Sequence, residues 1–213
     1  MSRNKNTSQR NILIIGAGAS GMAAALGAAE NNALVTVAEH NSEPGKKLLI
    51  TGNGRCNFTN TDVSAAHYYC RTPELIDSVL DSFDYNDCAA FFKKLGIEPD
   101  IRHYRFDESG YVYPEKGGAA AVRDALYREC IDAGVIFSFD TDAVSLSLKK
   151  NASGTFTSEL GDFDAVIMAS GSNAYPATGS DSSVYPILKA FDLGFSGFMP
   201  ALCALYSKSE RLK

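Results

Sequence analysis

The chain has 213 residues, a 45% apolar fraction and a formal net charge of −5, with a mean hydropathy of −0.11. That length carries one good core, or one domain with an appended piece. The acidic balance, with a pI near 5.2, argues against a nucleic-acid or anionic-membrane surface. No window approaches the roughly 18 uninterrupted apolar residues of a spanning helix. Residues 1–10, MSRNKNTSQR, are polar, lack the apolar core of a signal peptide and are expected to form a flexible leader. The five cysteines (Cys56, Cys70, Cys88, Cys130, Cys203) are odd in number and scattered without a C-x-x-C pair, and the three histidines (His40, His67, His103) lie far apart. A zinc site or a disulfide framework is therefore not expected, and a reducing, cytoplasmic setting fits best.

The first informative stretch runs from Asn11 to Glu39. Ile12-Leu13-Ile14-Ile15 reads as a strand buried on both faces. Gly16-Ala17-Gly18-Ala19-Ser20-Gly21 follows and fits G-x-G-x-x-G. Small, helix-favouring residues continue from Ser20 to about Asn31, and a second apolar strand, Leu34 to Ala38, ends on Glu39. Gly16 permits the tight turn, Gly18 lets a pyrophosphate approach the backbone, and Gly21 lets the helix pack closely on the strand. The helix N-terminus, with Ala19 and Ser20 in its first turn, offers N–H groups to the diphosphate. Glu39 stands where an acid accepts the adenosine ribose hydroxyls, with His40 beside it. The order strand, turn, helix, strand, acid predicts dinucleotide binding; the bland alternative is a glycine turn in an empty α/β unit.

Glu43-Pro44-Gly45 reads as a turn, and Lys46 and Lys47 place two cations within reach of the diphosphate. Gly52-Asn53-Gly54-Arg55-Cys56-Asn57 is a donor-rich loop that either wraps a ligand or is a plain surface turn. Cys56 alone reads more readily as a buried small side chain than as a nucleophile. Residues 73–95 show helical spacing of apolar residues, Leu75 to Phe83 and then a second stripe, Cys88 to Leu95, which stops at Gly96 and is expected to be core rather than cofactor contact. Tyr104–Phe106, Asp107–Gly110 and Tyr111–Pro114 read as strand, turn, strand. Gly117–Ala133 reads as a helix and Val135–Phe139 as a third parallel strand. Ala143–Leu148 and Thr155–Thr157 read as a hairpin turning at Asn151–Gly154. Phe163 to Met168 reads as one more buried strand, running into Ala169-Ser170-Gly171.

This order resembles the two-dinucleotide-binding-domain flavoproteins of the glutathione reductase type, in which a late strand returns beside the first with an Ala-Thr-Gly motif near FAD. Ala169-Ser170-Gly171 matches that motif with Ser for Thr. Gly45-Lys46-Lys47-Leu48-Leu49 followed by Gly52 to Asn60 (GNGRCNFTN) is similar to the signature of the BaiN-like, aminoacetone oxidase-like bacterial NAD(P)/FAD-dependent oxidoreductases. Gly110–Pro114 and Ser172–Ser180 resemble two further segments of that family. The resemblance implies that Gly16, Gly18, Ala19, Ser20 and Gly21 bind the diphosphate, that Glu39 and His40 lie at the ribose and that Lys46 or Lys47 balances phosphate charge. It also implies that Asn53, Arg55, Cys56, Asn57 and Thr59 lie near the flavin, that Val144 offers backbone groups to adenine, and that Ala169, Ser170 and Gly171 approach the cofactor. Family members are about twice as long and carry an inserted β-rich domain from about Ala201 and a returning segment over the flavin. Ser180–Val184 departs from the family's glycine-bearing turn.

The expected fold is therefore α/β: a three-layer FAD/NAD(P)-binding Rossmann-like domain with a parallel sheet and a small antiparallel hairpin layer. The FAD-binding domain is expected over 11–200, incomplete, with 201–213 beginning an inserted domain. The implied function is that of an FAD-dependent oxidoreductase, or its amino-terminal portion, acting on a small-molecule substrate, with FAD bound and NAD(P)H as candidate electron donor. A nucleic-acid or membrane partner is not expected. The rival readings are a non-catalytic truncated nucleotide-binding remnant and an NAD-only dehydrogenase. No residue carries a defensible acid, base or nucleophile role, and neither the substrate nor the oligomeric state is legible.

Overall fold

Two short-range signals, an apolar run and a glycine-spaced turn, open a strand–helix–strand unit: β1 (Asn11–Ile15), α1 (Ala19–Glu30) and β2 (Leu34–Ala38). The computed structural model describes residues 9–104, 107–143, 146–179, 185–194 and 197. Most of the expected leader and all of 201–213 lie outside them, as do Val144 and the Ser180–Val184 departure. After β2 come β3 (Thr59–Asn60), α2 (Pro73–Ser82), α3 (Tyr85–Lys94), β4 (Pro99–Tyr104), β5 (Asp107–Pro114) and α4 (Gly118–Asp132). The chain continues through β6 (Ile136–Ser138), β7 (Lys149–Lys150), β8 (Phe156–Ser158), β9 (Gly161–Phe163), β10 (Ala165–Met168) and α5 (Tyr185–Ala190).

A four-stranded parallel sheet runs in the order β10-β1-β2-β6, so the last strand of the unit lies beside the first. Ile14 pairs with Ile167 on one side and Val37 on the other. Successive side chains of β1 point to opposite faces. Ile14 joins a core with Met22, Ala25 and Leu26 of α1 and Val122, Ala125, Leu126 and Cys130 of α4. Leu13 and Ile15 pack instead with Ala38, Leu146 and Phe163 beneath the antiparallel β7-β8-β9 sheet. Helices, parallel sheet and hairpin sheet are thus three layers, as expected. A second antiparallel sheet, β3-β5-β4, stands to one side with α3 against it.

Four expectations need correction. The 73–95 stretch is two helices, because Asp84 caps α3: its carboxylate accepts from Asn86 N (2.7 Å) and Asp87 N (3.0 Å), and Asp87 accepts from Asp84 N. This is a capping box. Of the two apolar stripes, only the later one reaches the core, through Leu95 with Phe91 and Phe92. Leu75 and Val79 of α2, and Phe83 at its C-cap, are about half exposed, since no described layer covers that face. Asp107–Gly110 is not the turn but part of β5, paired back to β4. Gly110 is there for close approach, as a Cβ would stand 2.8 Å from Thr61 Oγ1 and 2.6 Å from Ile101 Cγ2. Finally, the expected strand Phe163–Met168 changes sheet at Asp164. That residue exchanges hydrogen bonds with Asn11, backbone N to O and Oδ2 from Asn11 N, each 2.8 Å. The described residues of the expected first hairpin strand, Ala143 and Leu146–Leu148, are not in a strand, and the arm paired with β8 is Lys149–Lys150 instead.

Candidate functional site

The carboxyl ends of β1, β2 and β10 open into a groove of about 320 Å³. It lies at the point where the sheet order turns from β1 towards β2 on one side and β10 on the other, the usual ligand crevice of an open parallel sheet. Gly16, Gly18, Ala19, Ser20, Glu39, His40, Lys46, Lys47, Ala169, Ser170 and Gly171 all line it.

Each glycine of the turn has a separate reason. Gly16 has a φ of +104°, and a Cβ there would lie 2.7 Å from Ala169 O, so the Ala169–Gly171 segment presses on the turn. A Cβ on Gly21 would stand 1.9 Å from Gly16 O, which ties α1 tightly to the strand end. Gly18 is the N-cap of α1 and no side chain caps this end. A Cβ added to Gly18 would meet nothing within 4 Å. The start of α1 is therefore an open cradle with helix N–H groups aimed into it, suited to a diphosphate.

Glu39 is buried, and three N–H groups hold it. Its Oε2 accepts from Ala17 N (2.6 Å), and its Oε1 accepts from Asn41 N (2.8 Å) and Asn41 Nδ2 (2.7 Å). The acid thus bridges the glycine turn and the loop after β2. Asn41 was not singled out from the sequence, yet it organises this end. It also donates to Thr178 O (3.3 Å) and accepts from Lys46 Nζ (3.2 Å). Thr141, Asp142, Ala143, Thr178 and Gly179 complete the wall and were missed as well. An asparagine two residues past an acid is a short-range signal for such a turn; the others arrive by long-range packing.

The Gly52–Asn57 loop is wound tightly. Gly52, Asn53, Gly54 and Cys56 all have φ between +55° and +79°, and Cys56 N donates to Thr51 O (3.1 Å). Thr51 reaches the groove, but Asn53, Arg55 and Cys56 do not line it. Arg55 is engaged locally, donating from Nε to Gly52 O (2.9 Å) and lying 5.3 Å over the Tyr113 ring. Cys56 turns into the helix-side core, and burial pushes its thiol up, partly offset by a hydrogen bond with Thr51. Such a thiol is a poor nucleophile. Asn57 and Thr59 line a second cavity, of about 640 Å³. Among the described residues no cluster has the composition of a metal site.

Residues 10–197 match the family described as HI0933-like protein Rossmann domain. The chain belongs to the HI0933-like Rossmann family. It is an FAD-binding Rossmann domain. The chain is 36% identical over 202 residues to 3-dehydro-bile acid delta(4,6)-reductase of Clostridium scindens, covering 92% of this chain and 47% of that protein. It is 30% identical over 188 residues to ribosomal RNA dihydrouridine synthase of Escherichia coli, covering 85% of this chain and 44% of that one. The chain thus spans about half the length of the curated relatives it matches. Among solved structures, 3-ketosteroid-delta4-(5alpha)-dehydrogenase of Rhodococcus jostii shares the fold, with a TM-score of 0.52 at 18% identity over 82% of this chain and 49% of that one.

Proposed function

We propose that this chain is the FAD-holding portion of an oxidoreductase that reduces a ring carbon–carbon double bond conjugated to a carbonyl group. The observation that carries the reading is the open, uncapped start of α1 at Gly18, enclosed by buried Glu39 and the Ala169–Gly171 segment. The residues that hold the cofactor in this reading are Gly16 to Gly21 at the diphosphate, Glu39 and His40 at the ribose, and Lys46 and Lys47 as counter-charges. Thr51 also lines the groove. Bound FAD supplies the hydride chemistry. The protein's own groups position it: the α1 N–H groups fix the diphosphate, and Glu39, already held by Ala17 N and Asn41, is preorganised as an acceptor.

The choice of reaction follows the two relatives, whose names each denote a reduced ring: delta(4,6) in a 3-dehydro bile acid, and the pyrimidine of dihydrouridine. A small-molecule substrate is favoured by the net charge of −5. A reducing cytoplasmic setting is favoured by the four described cysteines, all free thiols. No described helix is long and apolar enough to cross a membrane. The test is the visible spectrum of the purified chain incubated with FAD and passed through gel filtration, followed by NADH or NADPH. Flavin bands that travel with the protein, and bleach on adding the nicotinamide, are the expected result. A colourless protein that ignores FAD would overturn the reading for this chain.

A further inference from the structure

Two segments that stand out in the sequence, Gly52–Asn60 and Gly110–Pro114, contribute Arg55 and Tyr113, and neither residue lines the nucleotide groove. The fold brings them together elsewhere. In the β4–β5 pair Arg102 stands opposite Tyr111 and Asp100 opposite Tyr113, so these four side chains share one face of the sheet. The register shifts between His103 and Tyr104, an irregularity of the kind that re-aims a side chain. The Tyr104 ring packs edge-on to Tyr111, centroids 5.1 Å apart, and its hydroxyl lies 3.4 Å from that of Tyr113. The Gly52–Asn57 loop packs on the same ring, since a Cβ on Gly52 would stand 3.7 Å from Tyr113 Cε1. The guanidinium carbons of Arg55 and Arg102 each lie 5.3 Å from the Tyr113 ring centroid, so two cations gather at one buried aromatic ring.

A surface arginine ordinarily keeps its rotamer freedom, and these two are held. Arg55 donates from Nε to Gly52 O (2.9 Å) and hydrogen-bonds Tyr104. Arg102 donates from Nε to Asp100 Oδ2 (2.7 Å). A guanidinium is a planar fork of N–H donors, so anchoring through Nε fixes its plane while the terminal N–H groups form the outer edge. Tyr104 and Arg102 are each 44% exposed, which leaves the cluster open to a ligand from solvent. The Tyr104 phenol is held below its ordinary value, chiefly by the Tyr113 hydroxyl and after it by Arg55 and Arg102.

We infer that Arg55, Arg102 and Tyr104 form a binding site for the carboxylate of a small organic acid. A guanidinium fork meets a planar carboxylate through two parallel N–H···O bonds, and the Tyr104 hydroxyl is a further polar contact. The edge-on Tyr104–Tyr111 pair gives the carbon skeleton of the acid an apolar wall. A single carboxylate is favoured over a polyanionic strand because the net charge of −5 opposes a large negative ligand. The site stands on the β4–β5 face and does not rest on the flavin reading.

The experiment is titration of the ¹⁵N-labelled full chain with benzoate and, separately, with benzamide, which has the same ring and no charge. The Nε–H resonances of Arg55 and Arg102 are followed by NMR and assigned from the variants Arg55→Lys and Arg102→Gln. The expected result is saturable movement of both resonances with benzoate and none with benzamide. Arg102→Gln should weaken benzoate binding about tenfold through loss of charge-assisted hydrogen bonds. Because Arg102 is nearly half exposed, that variant keeps its fold. Arg55→Lys keeps the charge and removes the fork, and should also weaken binding about tenfold. Equal movement with benzamide, wild-type affinity in both variants, or benzoate shifts confined to Gly16–Gly21 and Lys46–Lys47 would each overturn the site. Inorganic phosphate held at Arg55 and Arg102 as tightly as benzoate overturns the choice of an organic acid. Tighter binding of a uridine hexanucleotide at the same resonances overturns it in favour of a strand.

Discussion

Alanine at Gly18 and alanine at Gly21 separate the two jobs of the glycine turn. At Gly18 the backbone φ is −73°, and an added methyl meets nothing within 4 Å. The poorer N-cap costs about 0.5–1 kcal/mol, and the stiffer unfolded chain returns about 0.4–1 kcal/mol. Gly18→Ala should therefore melt within about 2 °C of the wild type. Its Cβ nevertheless occupies the approach to the α1 N–H groups, and FAD should bind at least about tenfold more weakly, a loss of ~1.4 kcal/mol. With FAD at 100 times the wild-type Kd, ligand stabilisation is ~2.7 kcal/mol for the wild type, and a tenfold weaker variant retains only ~1.4 kcal/mol. At Gly21 the methyl would stand 1.9 Å from Gly16 O, and backbone must move. Overpacking costs up to ~3 kcal/mol and helix propensity returns at most ~1 kcal/mol. The net ~2 kcal/mol lowers the melting point by roughly 4–8 °C for a domain of this size. Circular-dichroism melts with and without FAD read both effects. Wild-type FAD stabilisation in Gly18→Ala would refute the diphosphate assignment, and a wild-type melting point for Gly21→Ala would refute the close packing of α1 on the turn.

Three further outcomes are expected. The Asp84 carboxyl is held below its ordinary range, chiefly by the Asp87 backbone N–H. Its contribution is therefore present above the unfolded carboxylate pKa of about 4 and lost as pH falls through the lower folded value. Asp84→Ala should be less stable than wild type in urea at pH 7, with the gap narrowing as pH falls below about 4, whereas Asp84→Asn should keep the cap and lose much of the pH dependence. Leu75→Lys or Val79→Lys on the exposed face of α2 should change stability by no more than ~0.5 kcal/mol. Leu126→Ala, fully inside the helix-side core, should cost ~2–5 kcal/mol; a loss of more than 2 kcal/mol at Leu75 would mean that α2 is covered. Burial pushes the Cys130 thiol up to about 12, leaving about one thiolate in ten thousand at pH 8. Iodoacetamide should therefore label exposed Cys70 in the native chain and reach Cys130 and Cys56 only after denaturation, as read by peptide mass spectrometry.

What could be read without coordinates was local. Ile12–Ile15, the glycine spacing, the alanine-rich run and Glu39 each act within a few residues, and β1, α1 and β2 fall where those signals put them. The return of β10 beside β1 came from resemblance to a known order of elements; nothing in the composition of Ala165–Met168 selects its partner. Apart from the helix break at Asp84, whose capping box is a local signal, the misplaced features depend on distant partners. Gly110 reads as a turn glycine until Thr61 and Ile101 are seen against it. The Phe163–Met168 run reads as one strand until Asn11 takes up Asp164. The α2 stripe has the period of a core helix, and periodicity cannot say whether a layer exists to cover it. At the site, the turn residues were legible because backbone geometry dictates glycine there. Asn41 was not, because its role lies in joining Glu39, Lys46 and Thr178.

The exchange between Asn11 and Asp164 closes a loop of 153 residues. At a synthesis rate of about 5–20 residues per second, β1 emerges roughly 8–30 s before the strand that covers its outer edge. Throughout that interval an apolar strand with one open hydrogen-bonding side is present on the nascent chain, a template for pairing with the wrong partner. The groove wall formed by Ala169–Gly171 follows immediately after β10. On the proposed reading of that groove, cofactor capture follows completion of the sheet, because the event that shields β1 from aggregation also builds the groove wall.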